Sequence, residues 1–155
     1  GGDHIYIHTS ASIGNYVTIE GPCYVGPNVE SRHGAYLRGR CWISDGCVVG
    51  GSTEIKNSIL LPGSKAPHFN YVGDSILGFG VNLGAGTKLS NVRNDRGTIP
   101  LMNAKRRIFD SGLTKLGALI GDNAHLGCNV VTNPGTIIYP DSMVRPNEAV
   151  SGLID

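Results

Sequence analysis

Aliphatic side chains recur at every sixth residue over most of this chain. The first run covers ten repeats, and Ser31 is its one break. A period of six fits neither a helix face nor the two-residue alternation of a plain strand. It is typical of a hexapeptide-repeat parallel β-helix, in which each repeat contributes one short strand and one turn. The repeat positions are Ile7, Ile13, Ile19, Val25, Ser31, Leu37, Ile43, Val49, Ile55 and Leu61, then Leu77, Leu83 and Leu89, then Ile120, Leu126, Thr132, Ile138, Val144 and Val150.

A second set of positions lies four residues after each repeat position. Its members are mostly small or β-branched, from Cys23 and Cys41 to Thr53 and Ile59, as expected where a tight corner points a side chain inward. Three hexads make one triangular coil of about 18 residues, so residues 18 apart should stack at about the spacing of neighbouring strands, ~4.8 Å. The sequence therefore predicts an all-β fold, with residues 1–155 as a single domain.

Composition narrows the range of functions. The net charge is +1, which gives no indication of binding to nucleic acid or to an anionic membrane. No apolar stretch approaches the ~20 residues of a membrane span, and no secretory signal is present, so we expect a cytoplasmic protein. Charged residues are only 16% of the chain. This low share predicts that one face of the solenoid is buried against other subunits, in a homotrimer.

The repeat is interrupted twice. Between Leu61 and Leu77 the spacing is 16 residues, which predicts one coil that is short by two residues. Residues 90 to about 113 lack the repeat and carry several arginines and lysines. They are predicted to project from a corner of the prism, where they can reach a neighbouring subunit or cover a cleft. A solvated run of charge is the alternative interpretation.

Three stretches closely resemble the acetyltransferase domain of the bifunctional N-acetylglucosamine-1-phosphate uridyltransferase/glucosamine-1-phosphate acetyltransferase family. They are residues 54–58, 63–74 and 81–87. Residues 105–107 and 115–122 look most like archaeal-type sugar-1-phosphate nucleotidylyltransferases, which carry the same C-terminal domain. The resemblance implies a left-handed β-helix and an acetyl-CoA-dependent N-acetyltransferase acting on an amino-sugar phosphate similar to glucosamine-1-phosphate.

The resemblance also implies the site residues. His68 matches the general base, which takes a proton from the sugar amine as the amine attacks the acetyl thioester, a role that suits imidazole near neutral pH. No loop of the G-x-G-T-R type precedes the repeats, so the nucleotidyltransferase half and its Mg²⁺ are not expected here. The other matched residues are Arg38, Lys56 and Tyr71 for the phosphate, Glu54 and Asn82 for the sugar, Asn91 near the reacting centre, and Ala85 and Cys128 for acetyl-CoA.

The spacing of Arg38 and Lys56 gives a separate argument. They lie 18 residues apart, and each follows an inward aliphatic residue, so they are expected to stack on successive coils with both charged groups outward. Two stacked cations repel unless an anion lies between them, and a sugar phosphate would satisfy both. Two unrelated surface cations are the alternative interpretation.

Two other functions are compatible with the predicted fold. Pro67 stands where the family usually has a glycine before the catalytic histidine, which favours a non-catalytic β-helix that serves trimerisation or regulation in a nucleotidyltransferase relative. A γ-type carbonic anhydrase would need three histidines that converge on zinc across a subunit interface. Only His4 and His8 are closely spaced here, and they precede most of the repeats.

Overall fold

A computed structural model describes residues 4–155 as a three-sided parallel β-solenoid. Its sides are three parallel sheets of eight, seven and seven strands, which we call faces A, B and C. The chain visits A, B and C in turn, so strands that neighbour each other in a sheet come from successive coils. The predicted all-β, left-handed parallel β-helix is confirmed. The described residues contain no helix with the length and apolarity needed to cross a membrane.

The strands are short, as expected for a chain that turns at every hexad. Those of face A are Ile5–Ile7, Cys23–Val25, Cys41–Ile43, Ile59–Leu60, Ile76–Leu77, Ala118–Ile120, Thr136–Ile138 and Leu153–Ile154. Those of face B are Ser12–Ile13, Glu30–Ser31, Val48–Gly51, Lys65–His68, Asn82–Leu83, His125–Leu126 and Met143–Val144. Those of face C are Thr18–Glu20, Tyr36–Arg38, Glu54–Lys56, Tyr71–Gly73, Lys88–Leu89, Val131–Thr132 and Ala149–Val150. Pro100–Met102 and Ile108–Asp110 pair antiparallel in a separate hairpin.

The repeat positions form the core of the prism. Val25 and Ile43 are completely buried and oppose each other in register on face A. Removing such side chains from water is the main favourable contribution to folding. Ile7 and Ile13 are 41% and 40% exposed, because they lie in the first coil of the described residues, over which no other described coil packs.

The shortening predicted between Leu61 and Leu77 is present, but its predicted position is wrong. Leu60, not Leu61, points inward: it pairs with Ile43 on one side and with Leu77 on the other, and it is fully buried. Both spacings are therefore 17 residues. Two successive coils each lack one residue, and no single coil lacks two.

Each of these two coils is one residue shorter at the corner from face C to face A. Ser58 and Ser75 are buried there, and each hydroxyl donates to the backbone carbonyl two residues earlier at 2.7 Å. Ile59, which the hexad pattern predicts at this inward position, is instead 39% exposed on face A. Asn57 and Asp74 precede the two serines with φ of 46° and 49°, in the left-handed region that Asn and Asp enter more readily than most residues.

The second interruption covers residues 90–117, a few residues more than predicted. It leaves the solenoid at the corner from face C to face A and contains the hairpin. It does not stay solvated: Ile99 is fully buried. A Cβ on Gly135 would lie 2.6 Å from the carbonyl oxygen of Pro100. Residues 90–117, which we call the insertion, therefore pack closely on a later coil of their own chain.

The three faces differ in polarity. None of the described strands of face A contains a charged residue. Tyr24 stacks between Tyr6 and Trp42, with ring centroids 5.2 and 4.2 Å apart. The charged strand residues lie on faces B and C and in the hairpin. The outward ladder of face A is Tyr6, Tyr24, Trp42, Ile59, Ile76, Leu119 and Ile137.

Candidate functional site

Face C carries the two cations that were predicted to bind a phosphate. Arg38 and Lys56 directly follow Leu37 and Ile55, which pair in register, so the two cations lie on neighbouring rungs as predicted. Arg38 is exposed and Lys56 is half-buried. Together with Arg40 they line a cleft of about 250 Å³ at the corner from face C to face A.

Each of these cations has its own carboxylate partner. Arg38 Nη1 donates to Glu54 Oε1 at 2.8 Å, and Lys56 Nζ donates to Asp74 Oδ2 at 3.2 Å. The argument that the stacked cations need an external anion is therefore wrong in its premise, because face C supplies counterions. A guanidinium has five N–H donors and an ammonium has three. Both side chains thus keep donors for a further anion.

Asp74 is the centre of a hydrogen-bond network on this edge. Its carboxylate also accepts from Asn57 Nδ2 at 2.6 Å and from Asn91 Nδ2. The hydroxyl of Tyr71 donates to Asn91 Oδ1 at 3.4 Å. Burial alone would raise the pKa of Asp74, but the donors from Asn91, Asn57 and Lys56 outweigh it and hold that pKa below its usual value. The carboxylate is therefore ionised at neutral pH.

Tyr71 reaches across face C towards this network. Its backbone is at the start of its strand, two residues before Gly73, which pairs with Lys56. A Cβ on Gly73 would lie 2.6 Å from the Tyr71 hydroxyl oxygen. The missing side chain at residue 73 is thus what allows the Tyr71 hydroxyl to reach Asn91.

His68 lies at the opposite edge of face C, at the corner from face B. Its side chain is exposed, while its backbone is held on both sides. The His68 N–H donates to Asn70 Oδ1 at 3.0 Å, and its carbonyl accepts from the Gly86 N–H at 2.9 Å. Five residues of chain connect His68 to Gly73, the rung partner of Lys56, so the two edges are at most about 17 Å apart.

Pro67 alters the strand that precedes this corner. It has no N–H to donate, and the register passes from Ala66 to His68, which pairs with Gly51. The Pro67 carbonyl lies where a Cβ on Gly50 would be. Gly50 therefore accommodates Pro67, and His68 stays in register with its neighbouring coil.

The residues matched to acetyl-CoA occupy the same corner as His68, on later coils. The Asn129 N–H donates to the Ala85 carbonyl at 2.8 Å, and the Asn147 N–H donates to the Cys128 carbonyl at 2.9 Å. Ala85 and Cys128 therefore follow one another along the solenoid axis. Cys128 is exposed and its thiol is free.

The predicted site residues thus form two groups. The group at the edge towards face A consists of Arg38, Glu54, Lys56, Tyr71 and Asn91. The group at the corner between faces B and C consists of His68, Ala85 and Cys128, with Asn82 on the adjoining strand of face B. No hydrogen bond among the described residues joins the two groups; the Tyr71 backbone starts its strand near the His68 corner, and its hydroxyl reaches the first group.

Sequence reasoning missed Asp74 and Asn57. Both stand inside the stretches that resemble the acetyltransferase family, and Asn57 directly follows Lys56. The first short corner makes the register between these coils 17 residues, so Gly73 pairs with Lys56 and Asp74 stacks on Asn57. The available signal was the 18-residue spacing from Lys56 to Asp74, the same spacing that stacks Lys56 on Arg38.

Two further observations concern a second cleft and metal binding. A larger cleft, of about 530 Å³, lies between the insertion and the last coil, and none of the predicted site residues lines it. Within residues 4–155, no three His, Cys, Asp or Glu side chains are placed to hold a metal ion.

Known proteins resemble this chain in sequence. Residues 19–151 match the family described as the GMPPB C-terminal domain. The chain is 38% identical over 126 residues to a bifunctional sugar-1-phosphate nucleotidylyltransferase/acetyltransferase from Sulfurisphaera tokodaii, a match that covers 81% of this chain and 30% of that relative. The chain spans less than a third of the length of the curated relatives that it matches.

Solved structures share the fold at low identity. A hexapeptide transferase family protein from Anaplasma phagocytophilum has a TM-score of 0.60 at 13% identity, over 96% of this chain and 74% of that one. A variant of GDP-perosamine N-acetyl transferase from Caulobacter crescentus, in complex with CoA and GDP-perosamine, has a TM-score of 0.50 at 16% identity, over 96% and 53%. These likenesses establish the architecture, and the match over residues 19–151 shows that the chain belongs to the GMPPB C-terminal domain family.

Proposed function

We propose that this chain transfers the acetyl group of acetyl-CoA to the amine of an amino-sugar phosphate. The observation that carries the proposal is the arrangement of face C, with Arg38 and Lys56 at one edge, His68 at the other and Tyr71 between them. The relative from S. tokodaii, whose name includes an acetyltransferase, supports it. So does the binding of CoA by an N-acetyl transferase of the same fold.

The proposed reaction is an acyl transfer. The sugar amine attacks the thioester carbonyl carbon; a C–N bond forms and the C–S bond breaks. His68 accepts the proton that the amine loses, and the resulting imidazolium gives a proton to the departing thiolate, which leaves as CoA. Ala85 and Cys128 are proposed to contact acetyl-CoA at the corner next to His68. The products are the N-acetylated sugar phosphate and CoA.

The cations are proposed to position the acceptor. The phosphate contains no reacting atom, so its binding energy serves to hold the amine near His68. Arg38 and Lys56 are already oriented by Glu54 and Asp74, so less side-chain freedom is lost when the phosphate binds. Glu54, Asn82 and Asn91 are proposed to contact the sugar.

A panel assay tests the proposal. Purified protein is incubated with acetyl-CoA and with amino sugars that carry or lack a phosphate, and CoA thiol release is measured. We expect transfer to glucosamine-1-phosphate to exceed transfer to glucosamine. Absence of transfer to every amino sugar, together with absence of acetyl-CoA binding, would instead favour the non-catalytic β-helix, for which the unusual Pro67 beside His68 is the supporting observation.

We also propose that the chain forms a homotrimer through face A. The support is the uncharged outward ladder of this face, in which Trp42 is 51% exposed and Tyr6 53%. An apolar strip of this length is unusual on a monomer's surface. Light scattering at micromolar concentration should give three times the 16.3 kDa of one chain. A monomeric mass for the wild type would contradict the trimer.

The Trp42→Glu variant should weaken this association. A carboxylate in an apolar interface is costly to desolvate without a partner, so the trimer should dissociate at a concentration at least about tenfold higher than for wild type. Tyr16→Glu is the matched control. Tyr16 is also an exposed aromatic residue, at 83%, but it lies at the corner from face B to face C and not on face A. Equal dissociation of both variants would show that face A is not the contact.

A further inference from the structure

Asp74 connects the proposed phosphate-binding edge to both ends of the insertion. Its side chain is 8% exposed and accepts hydrogen bonds from Lys56 and from Asn91, which lies at the start of the insertion, one residue after Ser90. Its backbone carbonyl accepts from the N–H of Gly117, where the insertion returns to the solenoid, at 2.8 Å. The buried Asp74 carboxylate can therefore hold the side chains of Lys56 and Asn91 in place.

The short corner at Asn57 and Ser58 sets the coil register that places Asp74 over Asn57. Asp74 stacks on the preceding short corner, because its N–H donates to the Lys56 carbonyl at 2.9 Å. Its Oδ1 accepts from Asn57, at the equivalent position of that corner, and its Oδ2 accepts from Lys56. An extra residue in the first of the two short corners would shift this register, and the stacking of Asp74 on Asn57 would be lost.

We propose that Asp74 is a positioning residue for the acceptor's phosphate: it holds the Lys56 ammonium directly, and the Tyr71 hydroxyl through Asn91. This inference rests on the proposed acetyl transfer to an amino-sugar phosphate. A lysine side chain has four rotatable carbon–carbon bonds, and an untethered ammonium would sample many positions. The carboxylate limits the ammonium to the edge of face C, next to the cleft that Arg38 and Arg40 line.

The test is the Asp74→Asn variant, with Asp45→Asn as its control. Asparagine tolerates the left-handed backbone at residue 74 as Asn57 does, so the corner should fold. Asp45 is an exposed aspartate that accepts from Asn28 Nδ2 at 3.1 Å at another corner. In Asp74→Asn we expect the KM for glucosamine-1-phosphate to rise about tenfold, kcat to change by less than about threefold and the KM for acetyl-CoA to stay within about twofold. Asp45→Asn should leave all three within about twofold.

A double-mutant cycle with Lys56→Ala separates positioning from a general structural role. If Asp74 acts through Lys56, adding Asp74→Asn to Lys56→Ala should raise KM by less than about twofold more. A full further tenfold loss in the double variant would overturn the proposal. So would an unchanged KM in Asp74→Asn alone.

A direct binding measurement distinguishes failure of the inference about Asp74 from failure of the proposed catalytic function. The affinity of glucosamine-1-phosphate is measured by titration calorimetry for wild type, Asp74→Asn and Asp45→Asn. If wild type binds it but transfers no acetyl group, the proposed function fails, and a tenfold weaker affinity in Asp74→Asn alone would still support the positioning role. If wild type binds no sugar phosphate, the inference about Asp74 fails. If wild type transfers acetyl groups and the affinity of Asp74→Asn is unchanged, only the inference about Asp74 fails.

Discussion

The His68→Ala variant should lose about 10²–10⁴-fold in kcat, the usual contribution of a general base. The affinity for the sugar phosphate should change little, because Arg38 and Lys56 lie at the other edge of face C. The fold should persist, since the His68 side chain is exposed and its backbone bonds to Asn70 and Gly86 do not involve the imidazole. Steady-state kinetics with both substrates, together with circular dichroism, measure these quantities.

His33→Ala is the matched control for this variant. His33 occupies the same corner position two coils earlier, since its carbonyl accepts from the Ser52 N–H as the carbonyl of Gly51 accepts from the Phe69 N–H. The His33 side chain is exposed and contacts the Tyr16 ring edge-on at 5.3 Å. The control should keep its kcat within about twofold. If His68→Ala also keeps its kcat, another group takes the amine proton and the assignment of His68 is wrong.

The fold could be predicted from the sequence because the six-residue period is a direct consequence of three short sides per coil. Residues such as Val25, Ile43 and Leu83 are buried where the period places them. The period failed at Ile59-Leu60-Leu61, where three aliphatic residues in succession fit more than one register. Only the pairing of Leu60 with Ile43 decides among them.

The sequence predicted which residues belong to the candidate site, but not which of their side chains contact each other. The stacking of Arg38 on Lys56 followed from their spacing, because both follow buried strand residues. The contacts of these two cations with their carboxylate partners did not follow from the spacing alone. Glu54 reaches Arg38 diagonally between neighbouring strands, and Asp74 reaches Lys56 from the corner of the next coil. Diagonal contacts and corner lengths depend on register, which a repeat pattern defines only to within a residue.

The Arg38→Ala variant should show a reduced preference for phosphorylated acceptors. We expect the KM for glucosamine-1-phosphate to rise about 10- to 100-fold, since a hydrogen bond to a charged group contributes roughly 1.5–3 kcal/mol. The KM for acetyl-CoA should stay within about twofold, because Ala85 and Cys128 lie at the other corner. The substitution also leaves Glu54 without its cation partner, and an unpaired carboxylate near the phosphate adds repulsion. The loss should therefore fall towards the upper end of that range.

Arg32→Ala distinguishes the loss of this phosphate contact from the loss of any surface ion pair. Arg32 Nε donates to Glu30 at 2.9 Å on face B, and its side chain is 37% exposed against 44% for Arg38. Exposed pairs of this kind contribute little to stability, so both variants should fold alike. Only Arg38→Ala should lower the ratio of activity on glucosamine-1-phosphate to activity on glucosamine. An unchanged ratio in Arg38→Ala would place the phosphate elsewhere, and the basic hairpin turn at residues 105–107 would then be the next region to mutate.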